Sequence, residues 1–110
     1  MKFTATEIGF QDGMGGASTS TSQAEYHYVL FGLQIDDQHP KNNGVYFEYD
    51  DQLNGSVDSV NSIQIADTAV RFSLANGKVI TVICNTADSK WDELLNGIRS
   101  VFSPTIITNG

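Results

Sequence analysis

Two copies of the tripeptide Asp-Asp-Gln, at 36–38 and 50–52, are the densest groups in this sequence that could do chemistry. Clustered carboxylate and carbonyl oxygens bind hard cations such as calcium. Neither copy has the alternating acidic spacing of an EF-hand loop. If residues 26–35 and 45–50 pair antiparallel, Asp36 and Asp37 sit at one end of the hairpin and Asp50 and Asp51 at the other, roughly 15 to 20 Å apart. No shared metal is expected. His27 and His39 are the only imidazoles, and they lack the H-E-x-x-H spacing of a zinc helix. Cys84 is the single cysteine. It ends an apolar strand with no activating base nearby in sequence, and reads as a small buried core residue. Gly13-Met14-Gly15-Gly16 runs into STSTSQ instead of a helix and lacks the Lys-Ser/Thr ending of a phosphate loop. No catalytic residue, cofactor or metal ligand is expected, and the chain reads as a binding protein and not an enzyme.

The carboxylates have a different use if they act as a surface. Asp36, Asp37, Glu48, Asp50, Asp51 and Asp58 stand against Lys41 alone, so residues 34–58 carry a net charge of −5 out of −7 for the chain. Such a field repels nucleic-acid phosphate and anionic membranes, and neither is an expected partner. It attracts a basic protein surface, where complementary charge speeds encounter and excludes wrong partners. The candidate partner-binding residues are Asp36, Asp37, Tyr46, Glu48, Asp50 and Asp51, with Tyr46 and Glu48 offering an amphipathic ring and a charge from one strand face. The competing reading is that these are ordinary hydrophilic loop ends beside a hairpin.

Positioning these groups requires a sheet. Residues 2–10 read as a strand, with Phe3 and Ala5 on one face and Ile8 and Phe10 on the other after a slip near Glu7. Residues 11–23 read as a flexible polar loop, because Gly, Ser and Thr offer little to bury. The run YHYVLFGLQI at 26–35 is apolar on both faces, as a central strand is. A polar connector at 36–44 leads to the strand at 45–49, and a DQLNGS turn to a weaker strand at 57–65. Asn76-Gly77 between two β-branched runs predicts a two-residue type I′ hairpin, with Leu74 facing Val79, Phe72 facing Thr81 and Val70 facing Ile83. Trp91, Leu94, Leu95, Ile98, Val101 and Phe102 recur at helical spacing and predict a helix over 89–102, with Ser89 and Asp92 in the form of a capping box and Pro104 stopping it. Residues 103–110 read as a tail.

The expected fold class is therefore α+β: an antiparallel sheet of about five to six strands with one C-terminal helix packed on one face. At 110 residues the chain is the length of a single domain with one core. One helix cannot cover both sheet faces, so Tyr28, Leu30 and Tyr46 are expected to stay partly exposed. That uncovered face is the basis of the alternative function, a generic interaction or assembly module, including a homodimer. A lone cysteine gives no disulfide framework, Glu7 interrupts any signal-peptide core, and no apolar run approaches the ~20 residues of a membrane helix. A cytoplasmic location is expected.

The runs YHYVLFGLQIDDQ, GVYFEYDDQLNGS and SIQIADTAVRFSL together resemble the immunity protein 10 family of bacterial polymorphic toxin systems. The resemblance spans roughly residues 26–102. It is carried best by Tyr46-Phe47-Glu48 leading into Asp50-Asp51-Gln52, and departs from the family pattern at Asn54-Gly55-Ser56-Val57. It implies a cytosolic protein that binds and blocks a cognate toxin by occlusion, with no catalytic apparatus.

Overall fold

Alternating apolar residues must bury one face of each strand, and among the described residues ten short strands do so from two five-stranded sheets that share one core. The computed structural model describes residues 1–20, 25–34, 37–38, 44–84 and 89–109. In chain order the strands are β1 (Lys2–Thr4), β2 (Glu7–Gln11), β3 (Met14–Ser18), β4 (Tyr28–Gln34), β5 (Gly44–Tyr49), β6 (Asp51–Val57), β7 (Val60–Ile65), β8 (Ala69–Leu74), β9 (Val79–Ile83) and β10 (Ile107–Asn109). Helix α1 (Ser89–Val101) and a 3₁₀ turn at Pro104–Ile106 precede β10. The fold is α+β with a C-terminal helix, as the sequence pattern predicts, but the strands are divided between two sheets. One sheet has the order β1-β9-β8-β7-β10 and the other β2-β3-β4-β5-β6.

The chain changes sheet at two places. The N–H of Ala5 still bonds Ile83 O of the first sheet, whereas the N–H of Thr6 bonds Ser18 O of the second. This is the physical meaning of the slip near Glu7: Phe3 and Ala5 enter the core from one sheet, Ile8 and Phe10 from the other. The second corner is Asp58, held at φ 56°. Its N–H donates to Val45 O at 2.8 Å and its carboxylate accepts from Val45 N at 3.1 Å.

Three segments read as irregular are strands. Residues 14–18, inside the stretch expected to be a flexible loop, form β3 between β2 and β4. Small residues are required there by volume: a Cβ on Gly15 would lie 2.5 Å from Phe31 Cζ and 2.8 Å from Phe10 Cδ2. The DQLNGS segment extends as the bulged edge strand β6. In the expected tail, Ile107–Asn109 pairs parallel with β7, as β1 does with β9 at the opposite edge.

The hairpin between β8 and β9 differs from its predicted register by one residue. Phe72 faces Ile80 and Val70 faces Val82. Of the turn residues only Gly77 is left-handed, at φ 89°, and its N–H donates to Leu74 O at 3.0 Å, which is a three-residue loop with a glycine bulge. Because side chains alternate, this register keeps Val70, Phe72 and Leu74 on the same face as Ile80 and Val82, all buried. The two-residue type I′ turn lies instead at Asp12-Gly13, φ 55° and 80°, between Gln11 and Met14.

The core is aromatic where the sheets meet. Phe47 of the second sheet and Phe72 of the first have ring centroids 4.9 Å apart, and Phe102 after α1 contacts both Phe31 at 5.4 Å and Phe72 at 6.4 Å. Helix α1 packs on the β2–β3 side with Trp91, Leu94 and Ile98 buried, and Trp91 Nε1 donates to Asp67 O at 3.3 Å, so the helix is held to both sheets. Cys84 is buried in this core at 3 % exposure. The side chain of Ser89 and residues 85–88 lie outside the described residues, so the expected cap does too.

Candidate functional site: the outer face of the second sheet

With the inner faces buried, each sheet presents its outer face. On the first sheet this face is mostly polar, with Gln64, Arg71, Ser73 and Thr81, and also presents Val79 at 40 % exposure. The second sheet presents a different surface. Its register arranges the outward residues in three rows across β2, β3, β4 and β5. The first row is Glu7, Ser18 and Tyr28; the second is Gly9, Gly16, Leu30 and Glu48; the third is Gln11, Met14, Gly32 and Tyr46.

Glu48 is the anchor of this face. It is 8 % exposed, which for a carboxylate requires partners. Tyr28 Oη donates to its Oε2 and Tyr46 Oη donates to its Oε1, the latter at 2.6 Å. Burial, then the hydrogen bond to Glu48, pushes the Tyr28 phenol well above the ordinary tyrosine range. The bond to Glu48, then burial, raises Tyr46 as well. Both phenols therefore stay protonated as donors. Gly55 on β6 makes room for Tyr46, since a Cβ there would sit 1.8 Å from its Oη. Sequence alternation placed Tyr46 and Glu48 on one face, but Glu48 is not the free surface charge expected of it.

Asp50 is also committed within the fold. At φ 60° it closes the end of β5, with Oδ2 2.9 Å from His27 Nδ1 and Oδ1 accepting from Tyr28 N at 3.1 Å. His27 stacks on Phe3 at 6.0 Å, and its Nε2 lies 3.6 Å from Glu25 Oε2. The hydrogen bond that His27 donates to Asp50 outweighs partial burial and raises the imidazole above its ordinary value. Asp51 begins β6, exposed, and its Oδ1 accepts from Leu53 N at 2.9 Å. Asp37 is exposed at the opposite end of the hairpin, where Gln34 faces Gly44. Asp36 and His39 lie outside the described residues. Asp37 is thus not brought to Asp50 and Asp51, and no group of three metal-ligating side chains forms among the described residues.

The residues that sequence reasoning missed lie in the rows beside Glu48. Glu7, whose Oε2 accepts from Ser18 Oγ at 3.2 Å, and the Tyr26–Tyr28 ring pair at 5.9 Å border a depression of about 690 Å³ floored by Gly9 and Gly16. The signal available was the spacing of Tyr26, Tyr28 and Leu30, which places them on one face. Their meeting with Glu48 depends on a register no local pattern fixes.

Charge is divided between the sheets. Residues 7–57, which build the second sheet, hold eight carboxylates and Lys41, a net charge of −7. The rest of the chain holds five carboxylates and five basic groups and is neutral. Among the described residues no helix is long and apolar enough to cross a membrane. No protein-family model matches the chain, and neither curated proteins nor solved structures provide a match.

Proposed function

We propose that this chain is a cytoplasmic immunity protein that binds a cognate protein toxin and neutralises it by occlusion. The observation that carries this reading is the coincidence of the entire net charge with the sheet whose outer face is rich in tyrosine. A large, rigid amphipathic surface in a strong negative field is suited to a basic protein partner, in affinity through the rings and in encounter rate through the charge. The resemblance of residues 26–102 to the immunity protein 10 family supplies the identity of that partner as a toxin. Blocking requires no catalytic step.

Of the residues proposed for contact, Asp37, Asp51 and the Tyr46 ring are at the surface, while Glu48 and Asp50 act by holding Tyr28, Tyr46 and the β5–β6 corner in place. The alternative, an assembly module that self-associates through the same face, is opposed by charge, because two copies would bring two −7 surfaces together.

The test is expression of the neighbouring open reading frame in a heterologous host, alone and with this chain. Growth arrest alone and recovery on co-expression are expected. Arrest that persists with the chain present would rule the proposal out.

A further inference from the structure

The second row of the outer face lacks side chains at its β2 end, where Gly9 and Gly16 lie side by side. Rows two residues apart along a strand are about 7 Å apart, so the missing row leaves a slot between the Glu7–Ser18–Tyr28 row and the Gln11–Met14 row. Leu30 ends the slot toward the sheet centre, and Lys90 and Glu93 of α1 stand at its mouth, one charge of each sign. The floor is open over Gly9, where a Cβ would meet nothing within 4 Å, whereas one on Gly16 would lie 2.8 Å from Val29 O. This distinguishes Gly9 from Gly15, Gly32 and Gly55, whose missing Cβ is already occupied by a neighbouring side chain.

We propose that this slot receives an arginine side chain of the basic protein partner, with the guanidinium set between the Glu7 carboxylate and the Tyr26–Tyr28 ring pair. The partner's identity as a toxin rests on the reading above; the slot's chemistry does not. A guanidinium is planar, stacks on an aromatic face and pairs with a carboxylate through two parallel N–H groups, which a lysine ammonium does not. Tyr26 is 45 % exposed and so available to stack. The charged lining of the slot is Glu7, Glu93 and Lys90, and residues 7–57 as a whole carry −7; this excess of carboxylates favours a cation over an acidic or neutral occupant, and over a second copy of this chain.

Gly9 gives a test that leaves charge unchanged. The full chain is titrated with a capped hexa-arginine peptide and followed by amide shifts, with hexa-lysine as comparison. Shifts are expected to centre on Gly9, Gly16 and Leu30. Gly9→Phe fills the slot from an open position and is expected to weaken binding at least about fivefold. Gln64→Phe on the other sheet should leave binding unchanged. Glu7→Gln, at an exposed site, is expected to weaken binding by a similar factor and provides a second variant should Gly9→Phe fold poorly. Four results would overturn the slot: unchanged affinity in Gly9→Phe and Glu7→Gln, shifts confined to Asp50 and Asp51, equal affinity for hexa-lysine, or a homodimer whose dissociation on dilution moves the same amides. Failure of growth rescue with arginine binding intact would remove the toxin and keep the slot; rescue that survives Gly9→Phe with unchanged peptide binding would do the reverse.

Discussion

Glu48 shows how a residue can be placed correctly by pattern and still be misread in role. Alternation puts it beside Tyr46 on an outward face, but only the pairing of β4 with β5 reveals that Leu30 lies opposite and that Tyr28 reaches its carboxylate. Removing one donor from a buried carboxylate leaves it undersatisfied, so Tyr28→Phe should cost about 1.5–3 kcal/mol in urea unfolding. Tyr46→Phe should cost less, because burial is the leading cause of the raised phenol at Tyr28 and only the second at Tyr46. His27 gives a pH dependence of definite sign. Its folded pKa is raised, mainly by the hydrogen bond to Asp50, above the ordinary 6.5. The imidazolium therefore stabilises the fold fully below about pH 6.5, and that contribution is lost as pH rises through the folded pKa. Urea midpoints of the native protein should fall across that window relative to His27→Gln. Parallel profiles for the two proteins would show that the His27–Asp50 contact contributes nothing.

At the scale of elements, what was legible depended on length and periodicity. The helix and the long apolar strands carry enough repeats to fix their type, and the helix ends at Val101 within one residue of expectation. Short elements do not. β3 was hidden because Gly and Ser score as loop, whereas the bulk of Phe10 and Phe31 on its neighbours is what requires small residues there. Asn76-Gly77 reads as the two-residue turn, whereas Asp12-Gly13, which forms one, is hidden inside the stretch that reads as a flexible loop, and turn chemistry alone does not distinguish a two-residue from a three-residue Xaa-Gly loop. Gly13→Val should lower stability by about 1–2 kcal/mol, since a β-branched residue is forced to φ 80°. Asn76→Ala should cost less than Gly13→Val, because Asn76 is not left-handed and loses only its bond from Lys78 N. Gly97 sets two effects against each other. Alanine gains up to ~1 kcal/mol of helix propensity, but its Cβ would lie 2.1 Å from Phe10 Cδ2, and overpacking costs about 1–3 kcal/mol. Packing should win, so Gly97→Ala is expected to destabilise the protein in thermal melts, and Phe10→Leu in the same chain to relieve it.

Across the whole molecule, the sequence located the acidity in 34–58, and the fold extends that region to one complete sheet. Glu7 and Asp12 are distant from the hairpin in sequence, and Glu25 precedes its first strand, outside the 34–58 run, so their place in the same half could not be read from a local charge run. Charge on this half should govern association rate more than dissociation rate. Asp37→Lys with Asp51→Lys, both exposed, should slow binding to the proposed toxin partner and flatten its salt dependence, while Asp50→Lys should also unfold the corner that Asp50 closes. The central claim is that binding itself inhibits. Its most direct test is a titration of the toxin's activity, using the purified product of the neighbouring reading frame, with increasing amounts of this chain. Occlusion predicts a linear fall to no activity at one equivalent; activity that persists through several equivalents would contradict it.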